Sequence, residues 1–282
     1  VVVTIVVFVT SSSELISAVV SAFKCSADLA LANVVGSNTA NILLILGVAS
    51  VIRPLAMDRS MRWREIPFVL LSVLVLAVLA NDRVLGGGTG NSVLSRGDGL
   101  VLIGYFFIYM YYVFSVAHSR EEEIFERIEK TTSLPIALLL IVAGAAGLAV
   151  GGQWIVDGAR EMARAAGMSE ALIGLTIVSL GTSLPELATS AVAAKKGNTG
   201  LAVGNVVGSN ILNVLWILGL TASIRPIDFN VMLNVDIWIL SGVIALFFLF
   251  TFTGKRHKID RLEGGAFLLL YCGYIVFLIL RG

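Results

Sequence analysis

The stretch of sequence that decides the fold reads GTSLPE at residues 181–186 and GNVVGSNILN at residues 204–213. A related stretch occurs earlier, because residues 9–54 align with residues 181–226 at a constant offset of 172 and without a gap. Of the 46 aligned positions, 23 are identical. The chain therefore contains an internal repeat, which indicates two halves of similar structure.

The polar matches within this repeat are more informative than the apolar ones, since apolar helices share residue types by composition alone. The polar pairs are Thr10 with Thr182, Ser11 with Ser183, Glu14 with Glu186, Asn33 with Asn205, Ser37 with Ser209, Asn38 with Asn210 and Asn41 with Asn213. Because all of them lie within apolar stretches, chance is a poor explanation of these matches.

The composition is typical of a membrane protein. Hydrophobic residues make up 57% of the chain and charged residues 14%, and the mean hydropathy is +0.92. Nine apolar runs approach the roughly 20 residues that a helix needs to cross a bilayer. They cover residues 1–24, 29–52, 64–81, 98–117, 134–156, 171–194, 200–223, 232–253 and 262–280. Since a helix satisfies its own backbone within lipid, these runs predict an all-α membrane protein.

The two repeats are predicted to cross the membrane in opposite directions, which is an inverted topology. Glu14 lies in the first predicted span and Glu186 in the sixth, so five crossings separate them, and an odd number reverses the direction. A helix equivalent to 134–156 should precede the first repeat, so we expect ten helices in the intact protein. The predicted units are a first repeat at 1–117, a cytoplasmic linker at 118–133 and a second repeat at 134–282.

The distribution of positive charge predicts the orientation. Alternate loops on one side carry 13 Lys and Arg residues, whereas the remaining loops and the C-terminus carry seven. By the positive-inside rule the richer side faces the cytoplasm. The net charge of +1 gives no reason to expect a nucleic-acid partner, so the expected surroundings are a lipid bilayer, the plasma membrane of a prokaryote.

The two glutamates are the strongest functional candidates. A carboxylate in mid-bilayer costs about 3 kcal/mol, so it must face a cavity, pair with another group or bind an ion. Thr10 and Glu14, like Thr182 and Glu186, are four residues apart and therefore share one helix face. Pro185 lacks an N–H and predicts a break just before Glu186. The first repeat has serines there, a weaker device, so we expect the two halves to be unequal.

A second polar stripe follows in each half, formed by Asn33, Ser37 and Asn41 and their repeat partners. Amide, hydroxyl and carboxylate oxygens are the hard ligands that Ca2+ and Na+ prefer. No Cys or His lies in either stripe, which argues against a zinc or copper site. We assign Asn38, Asn210 and the neighbouring glycines to close helix packing.

At these residues the chain resembles the cation/Ca2+ exchanger superfamily, whose two repeats carry GTSLPE and GNxxGSNxxN-like motifs. The resemblance implies that Glu14 and Glu186 coordinate the ion and that a pair of gating helices slides against the rest. It also implies further oxygens from Thr10, Ser11, Ser37, Asn41, Thr182, Ser183, Ser209 and Asn213. Two features depart from the family pattern: Asn213 replaces an Asp found in many Na+/Ca2+ members, and TSSSE replaces TSLPE.

These observations predict a secondary antiporter that exchanges Ca2+ for Na+ and needs no cofactor besides the transported ions. Two carboxylates neutralise one Ca2+, two Na+ or two protons, so exchange of Ca2+ for H+ is the alternative. Two further alternatives, from other functional classes, are a passive cation channel and an intramembrane enzyme. The inverted repeat and the Ser, Thr and Asn residues fit ion coordination better than they fit catalysis.

Overall fold

The protein is described here by a computed structural model, which covers residues 2–23, 27–86, 92–119, 134–165, 167–168, 170–253 and 257–281. The described part is mostly helical. The prediction of a linker at 118–133 falls largely outside these residues.

The first half consists of helices that are interrupted at two places by single π-helical turns. Its helices are α1 (Val2–Thr10), α2 (Ser12–Phe23), α3 (Ala27–Ala40), α4 (Leu46–Ile52), α5 (Ile66–Ala80), α6 (Asp82–Leu85) and α7 (Arg96–Ser119). The π turns are Asn41–Ile45, which joins α3 to α4, and Met61–Glu65, which leads into α5. The strands are β1 (Leu55–Ala56) and β2 (Ser92–Leu94).

The second half has a closely similar order of elements. Its helices are α8 (Leu134–Ala165), α9 (Glu170–Ile173), α10 (Ser179–Thr182), α11 (Leu184–Lys195), α12 (Thr199–Ile211), α13 (Gly219–Ile224), α14 (Leu233–Thr253) and α15 (Arg261–Arg281). The π turns are Gly174–Val178, between α9 and α10, and Leu212–Leu218, between α12 and α13. The strands are β3 (Ile227–Phe229) and β4 (Lys258–Ile259).

The bounds of the elements repeat with the same offset of 172 residues as the sequence. Helix α2 and helix α11 match in this way at both ends, and so do the continuous helical segments 27–52 and 199–224. Both segments end at the dipeptide Arg-Pro. Arg53 and Arg225 are extended, with φ of −151° and −142°, because a following proline disfavours the helical conformation.

The helices form a buried centre and a more exposed periphery. In the most apolar part of the spans Ala30–Ile52 and Thr199–Ile224, 78% and 89% of the residues are buried. In the corresponding part of Arg96–Val116, on the outside, 17% are buried. The central pair therefore forms the core, and the outer helices present apolar side chains such as Leu100, Phe107 and Tyr111 to the surroundings.

Four short strands were not predicted from the sequence, and they form two antiparallel pairs. Strand β1 pairs with β4, with Leu55 opposite Ile259, and β2 pairs with β3, with Val93 opposite Asp228. Each pair joins two loops that the charge pattern places on the same side of the membrane.

The last two long helices are joined at one end by a buried ion pair. Asp236 of α14 is fully buried and accepts a 2.8 Å hydrogen bond from the Arg281 guanidinium of α15. The Tyr274 hydroxyl donates to the other carboxylate oxygen at 3.2 Å. Two partners thus compensate the buried charge.

Six helices among the described residues are long and apolar enough to span a membrane, and a seventh span is a bent pair, Gly174–Thr182 with Leu184–Lys195. The predicted run 1–24 is instead two short helices, α1 and α2, which are broken at Ser11. The predicted run 134–156 belongs to the longer helix α8. The prediction of an all-α membrane protein is confirmed in a coarser form, as a mostly helical chain with six or seven candidate spans. The count of nine spans and the inverted repeats remain predictions.

Candidate functional site

Each half has a break in the helix that carries its glutamate. In the second half the break lies at Ser183, between α10 and α11, and the two pieces are bent by 52°. Pro185 lies in the first turn of α11, where its missing N–H is tolerated. The break that was predicted just before Glu186 is therefore confirmed.

The first half breaks at the equivalent residue, Ser11, although it has no proline there. The Ser12 hydroxyl donates to the Val9 carbonyl at 2.7 Å, and the Thr10 hydroxyl oxygen lies 3.3 Å from the Val7 carbonyl oxygen. Hydroxyl groups that bond to the preceding turn weaken the helix in place of the proline ring. The expected difference between the halves is therefore absent from the position of the break.

The two carboxylates are fully buried, and each is contacted by the serine at the break of the other half. The Ser11 hydroxyl donates to Oε1 of Glu186 at 2.9 Å. Reciprocally, the Ser183 hydroxyl donates to Oε1 of Glu14 at 3.4 Å. Both glutamates therefore approach the junction between the halves, as the repeat predicted.

Two Thr–Asn contacts follow the same reciprocal rule. The Thr10 hydroxyl donates to Oδ1 of Asn205 at 3.3 Å, and the Thr182 hydroxyl donates to Oδ1 of Asn33 at 3.3 Å. The halves differ at the next step. The Asn205 amide nitrogen donates to Ser190 at 3.1 Å, but the repeat partner of Ser190 is Ala18, which has no hydroxyl. Within the described residues, the buried Asn33 amide nitrogen has no partner.

The serines of the second stripe are also buried at this junction. The Ser209 hydroxyl oxygen lies 3.4 Å from Oε1 of Glu186 and 3.1 Å from the Ser11 hydroxyl oxygen. The Ser37 hydroxyl lies 3.4 Å from the Thr182 hydroxyl and 3.4 Å from the Ser179 carbonyl. The structure thus gathers hydroxyl oxygens from both halves around the carboxylates.

The asparagines that end the two stripes have unequal surroundings. The Asn213 amide nitrogen donates to Oδ1 of Asn38 at 3.0 Å, and the Asn38 amide nitrogen donates to the Asn210 carbonyl at 3.1 Å. Asn41 is fully buried, and neither atom of its amide has a partner among the described residues. Both Asn41 and Asn213 lie at a π turn, a distortion that often marks functional positions in helices.

Several oxygens at this junction are buried without a hydrogen-bond partner in the described part of the chain. They are Oε2 of Glu186 and Oδ1 of Asn41, Asn210 and Asn213. Such atoms are costly unless a ligand or water satisfies them. No cluster of three or more His, Cys, Asp or Glu residues occurs among the described residues. A cation bound here would therefore be held by two carboxylates and neutral oxygens, a donor set suited to hard ions.

All ten predicted site residues are buried. The contacts above join seven of them in three groups: Ser11 and Ser209 with Glu186, Ser183 with Glu14, and Ser37 with Thr182. Thr10 and Asn213 contact Asn205 and Asn38, respectively, and the Asn41 amide has no partner among the described residues. The sequence analysis missed Ser179 and Ser190, which have Val7 and Ala18 as their repeat partners. Comparing the halves for identity passes over such residues. A search for polar residues on the same helix face as Glu186 would have found Ser190, which lies four positions later.

Comparison with known proteins assigns the chain to a family. The family described as Sodium/calcium exchanger protein matches residues 1–115 and 136–280 of this chain. The chain is 33% identical over 279 residues to the putative antiporter CaxA of Alkalimonas amylolytica, which covers 96% of this chain and 85% of that protein. It is 34% identical over 251 residues to the inner membrane protein YrbG of Escherichia coli, covering 83% of this chain and 74% of that protein.

A solved structure agrees with these relatives. The sodium-calcium exchanger NCX_Mj, soaked with 2.5 mM Na+ and 0.1 mM Ca2+, superposes with a TM-score of 0.75 at 30% identity. The match covers 97% of this chain and 84% of that one. The shared fold extends over nearly all of the chain.

Proposed function

The chain belongs to the sodium/calcium exchanger family, and we propose that it exchanges Ca2+ for Na+ across the plasma membrane of a prokaryote by alternating access. Members of this family are transporters, so the chain is a membrane antiporter and not an enzyme. The observation that carries the proposal is the pair of buried carboxylates, each bonded to the serine at the helix break of the opposite half. Buried sites for transported ions, located where transmembrane helices are broken, are typical of secondary transporters.

The proposed transport unit consists of two inverted repeats, 1–117 and 134–282, joined by residues 118–133. The positions of the strands support opposite directions. Segment 27–52 leads into β1, whereas segment 199–224 leads into β3. Strand β3 pairs with β2, and the span Met61–Ala80 lies between β1 and β2 in the chain. Because this span has 20 residues and is about 30 Å long, β1 and the β2–β3 pair lie about one bilayer thickness apart. The C-terminal ends of segments 27–52 and 199–224 are therefore on opposite sides of the membrane.

The proposed ligands of the cation are the carboxylates of Glu14 and Glu186 together with neighbouring neutral oxygens. The hydroxyl and amide groups come from Thr10, Ser11, Ser37, Asn41, Thr182, Ser183, Ser209 and Asn213. Their burial at one junction supports this set, because a desolvated carboxylate pair needs a cation to compensate its charge.

Exchange of Ca2+ for H+ is the second candidate, and one observation favours it. Asn213 is neutral, so the described site offers two carboxylates, which two protons neutralise as well as two Na+ do.

The coupling ion is tested with purified protein in sealed vesicles, in which Na+, H+ or K+ gradients are imposed separately. We expect an outward Na+ gradient to drive uptake of radiolabelled Ca2+. Uptake that ignores both the Na+ and the H+ gradient would overturn exchange.

The ligand assignment is tested with Glu186→Gln. The amide keeps the size of the side chain and can still accept from Ser11, but it removes one of two negative charges. We expect Ca2+ transport to be abolished while the elution profile in detergent stays that of the folded protein. Transport at the wild-type rate would contradict the role of Glu186 as a ligand.

A further inference from the structure

The hydrogen bonds of Asn38 differ from those of its repeat partner Asn210, although both residues stand in the same GSN motif. Asn38 contacts the opposite half of the protein through both amide atoms. The side chain of Asn210 instead donates to the Val206 carbonyl of its own helix at 2.8 Å. Asn38 is fully buried, so its two contacts are not exchanged for water.

The chemistry of these contacts fixes the orientation of two amides. The main-chain oxygen of Asn210 can only accept, so Asn38 must direct its NH2 group toward it, at 3.1 Å. The oxygen of the Asn38 amide then faces Asn213 at 3.0 Å. Asn213 must in turn present its NH2 group to that oxygen. The Oδ1 atom of Asn213 is thereby directed away, and it has no partner among the described residues.

We propose that Asn38 is a positioning residue that holds the Asn213 amide with its oxygen free for the transported cation. This inference rests on the proposed function, in which Asn213 is a ligand. It gives Asn38 a role beyond the helix packing that was predicted from the sequence. Asn38 touches no ion itself and acts through the residue it orients.

The same contacts select an amide at position 213. A carboxylate there has no hydrogen to donate, so its oxygen would face the Asn38 oxygen at about 3 Å. Turning the Asn38 amide over does not relieve this, because its oxygen would then face the Asn210 carbonyl. An ionised Asp at 213 is therefore disfavoured while Asn38 is present.

The test is equilibrium binding of radiolabelled Ca2+ to the purified, full-length chain in lipid nanodiscs, which needs no counter-ion gradient. We expect Asn38→Ala to weaken Ca2+ binding by about 10- to 100-fold, the usual effect of removing a group that orients a metal ligand. In an Asn213→Ala background the same change should have almost no further effect.

The effect of Asn38→Ala on Ca2+ affinity in an Asn213→Asp background separates positioning from a loss of packing, because positioning predicts a gain there and lost packing predicts a loss. Asn213→Asp should not strengthen Ca2+ binding despite its added carboxylate. Adding Asn38→Ala to that variant should strengthen binding, because the opposing oxygen is removed. Weaker binding of the double variant would overturn the inference.

The remaining outcomes keep the two proposals apart. A wild-type protein that binds no Ca2+ overturns the proposed function together with this inference. A wild-type protein that binds Ca2+ while Asn38→Ala binds equally well overturns the inference alone. If Asn38→Ala does not fold, the comparison of Asn213→Asp with wild type decides, and a clear gain in affinity would contradict the proposal.

Discussion

Replacing Gly36 with alanine places a methyl group against the backbone of the opposite half. A Cβ atom at this position would lie 2.6 Å from the Leu175 carbonyl oxygen, 2.9 Å from the Leu175 Cα and 2.8 Å from the Ser179 hydroxyl. No side-chain rotation moves the two backbone atoms away. The helices must therefore separate by about 0.7 Å to restore a carbon–oxygen distance of about 3.3 Å.

This separation disturbs the site, because the displaced segment ends at the helix break. Ser183 bonds to Glu14 at 3.4 Å and Thr182 lies 3.4 Å from Ser37, both near the limit of a hydrogen bond. Overpacking costs about 1–3 kcal/mol, and the better helix propensity of alanine returns about 1 kcal/mol. We expect a net loss of roughly 0–2 kcal/mol of stability and about tenfold weaker Ca2+ affinity.

The equivalent change in the other half, Gly208→Ala, is the matched control. There the added Cβ would lie 2.8 Å from one methyl group of Val7 and 3.3 Å from the other, and its three nearest atoms all belong to that side chain. Val7 belongs to helix α1, and the nearest atoms that must move are those of a side chain and not of the backbone. We would measure thermal unfolding in detergent and Ca2+ uptake into vesicles. Wild-type uptake by Gly36→Ala, or equal damage from Gly208→Ala, would refute the reasoning.

Two further predictions concern stability. Ala18→Ser supplies a hydroxyl next to the unpartnered amide nitrogen of Asn33, and we expect a gain of about 0.6 kcal/mol, the average for a hydrogen bond within a membrane protein, seen as a higher unfolding temperature. Arg281→Met leaves the buried Asp236 without its cation, and we expect a loss of about 3–5 kcal/mol, seen as a much lower unfolding temperature.

Each of these variants has a control. Ser190→Ala removes the existing bond to Asn205, so it should lower stability by about as much as Ala18→Ser raises it. An unchanged unfolding temperature for Ala18→Ser would speak against the missing bond. Asp236→Asn combined with Arg281→Met removes both charges and should recover much of the loss. If single and double variants are equally unstable, the ion pair is not the cause.

The residues of the site follow from the sequence because lipid restricts what a buried polar group can be. Glu14 and Glu186 are recognisable without a structure, since a carboxylate within an apolar run has few roles other than binding or pairing. The helix break before Glu186 follows from Pro185, which cannot continue a helix. Even the end of each central segment is visible, as an Arg-Pro pair.

The partners of those residues were decided by the tertiary structure alone. Ser11 lies three positions before Glu14 in the chain, yet it bonds to Glu186 in the other half. Such contacts depend on how two helices from distant parts of the chain pack. Helical periodicity identifies the faces of each helix but not their partners.

The tertiary structure also gives matching residues of the two halves different contacts. Gly36 approaches backbone whereas Gly208 approaches side chains, and Asn38 reaches across the junction whereas Asn210 bonds within its own helix. The sequence determined the membrane class, the repeat and the buried polar residues, because burial and helix geometry act locally. The structure decided which of the two matching asparagines bonds across the junction, because a single arrangement of two packed halves need not treat matching residues alike.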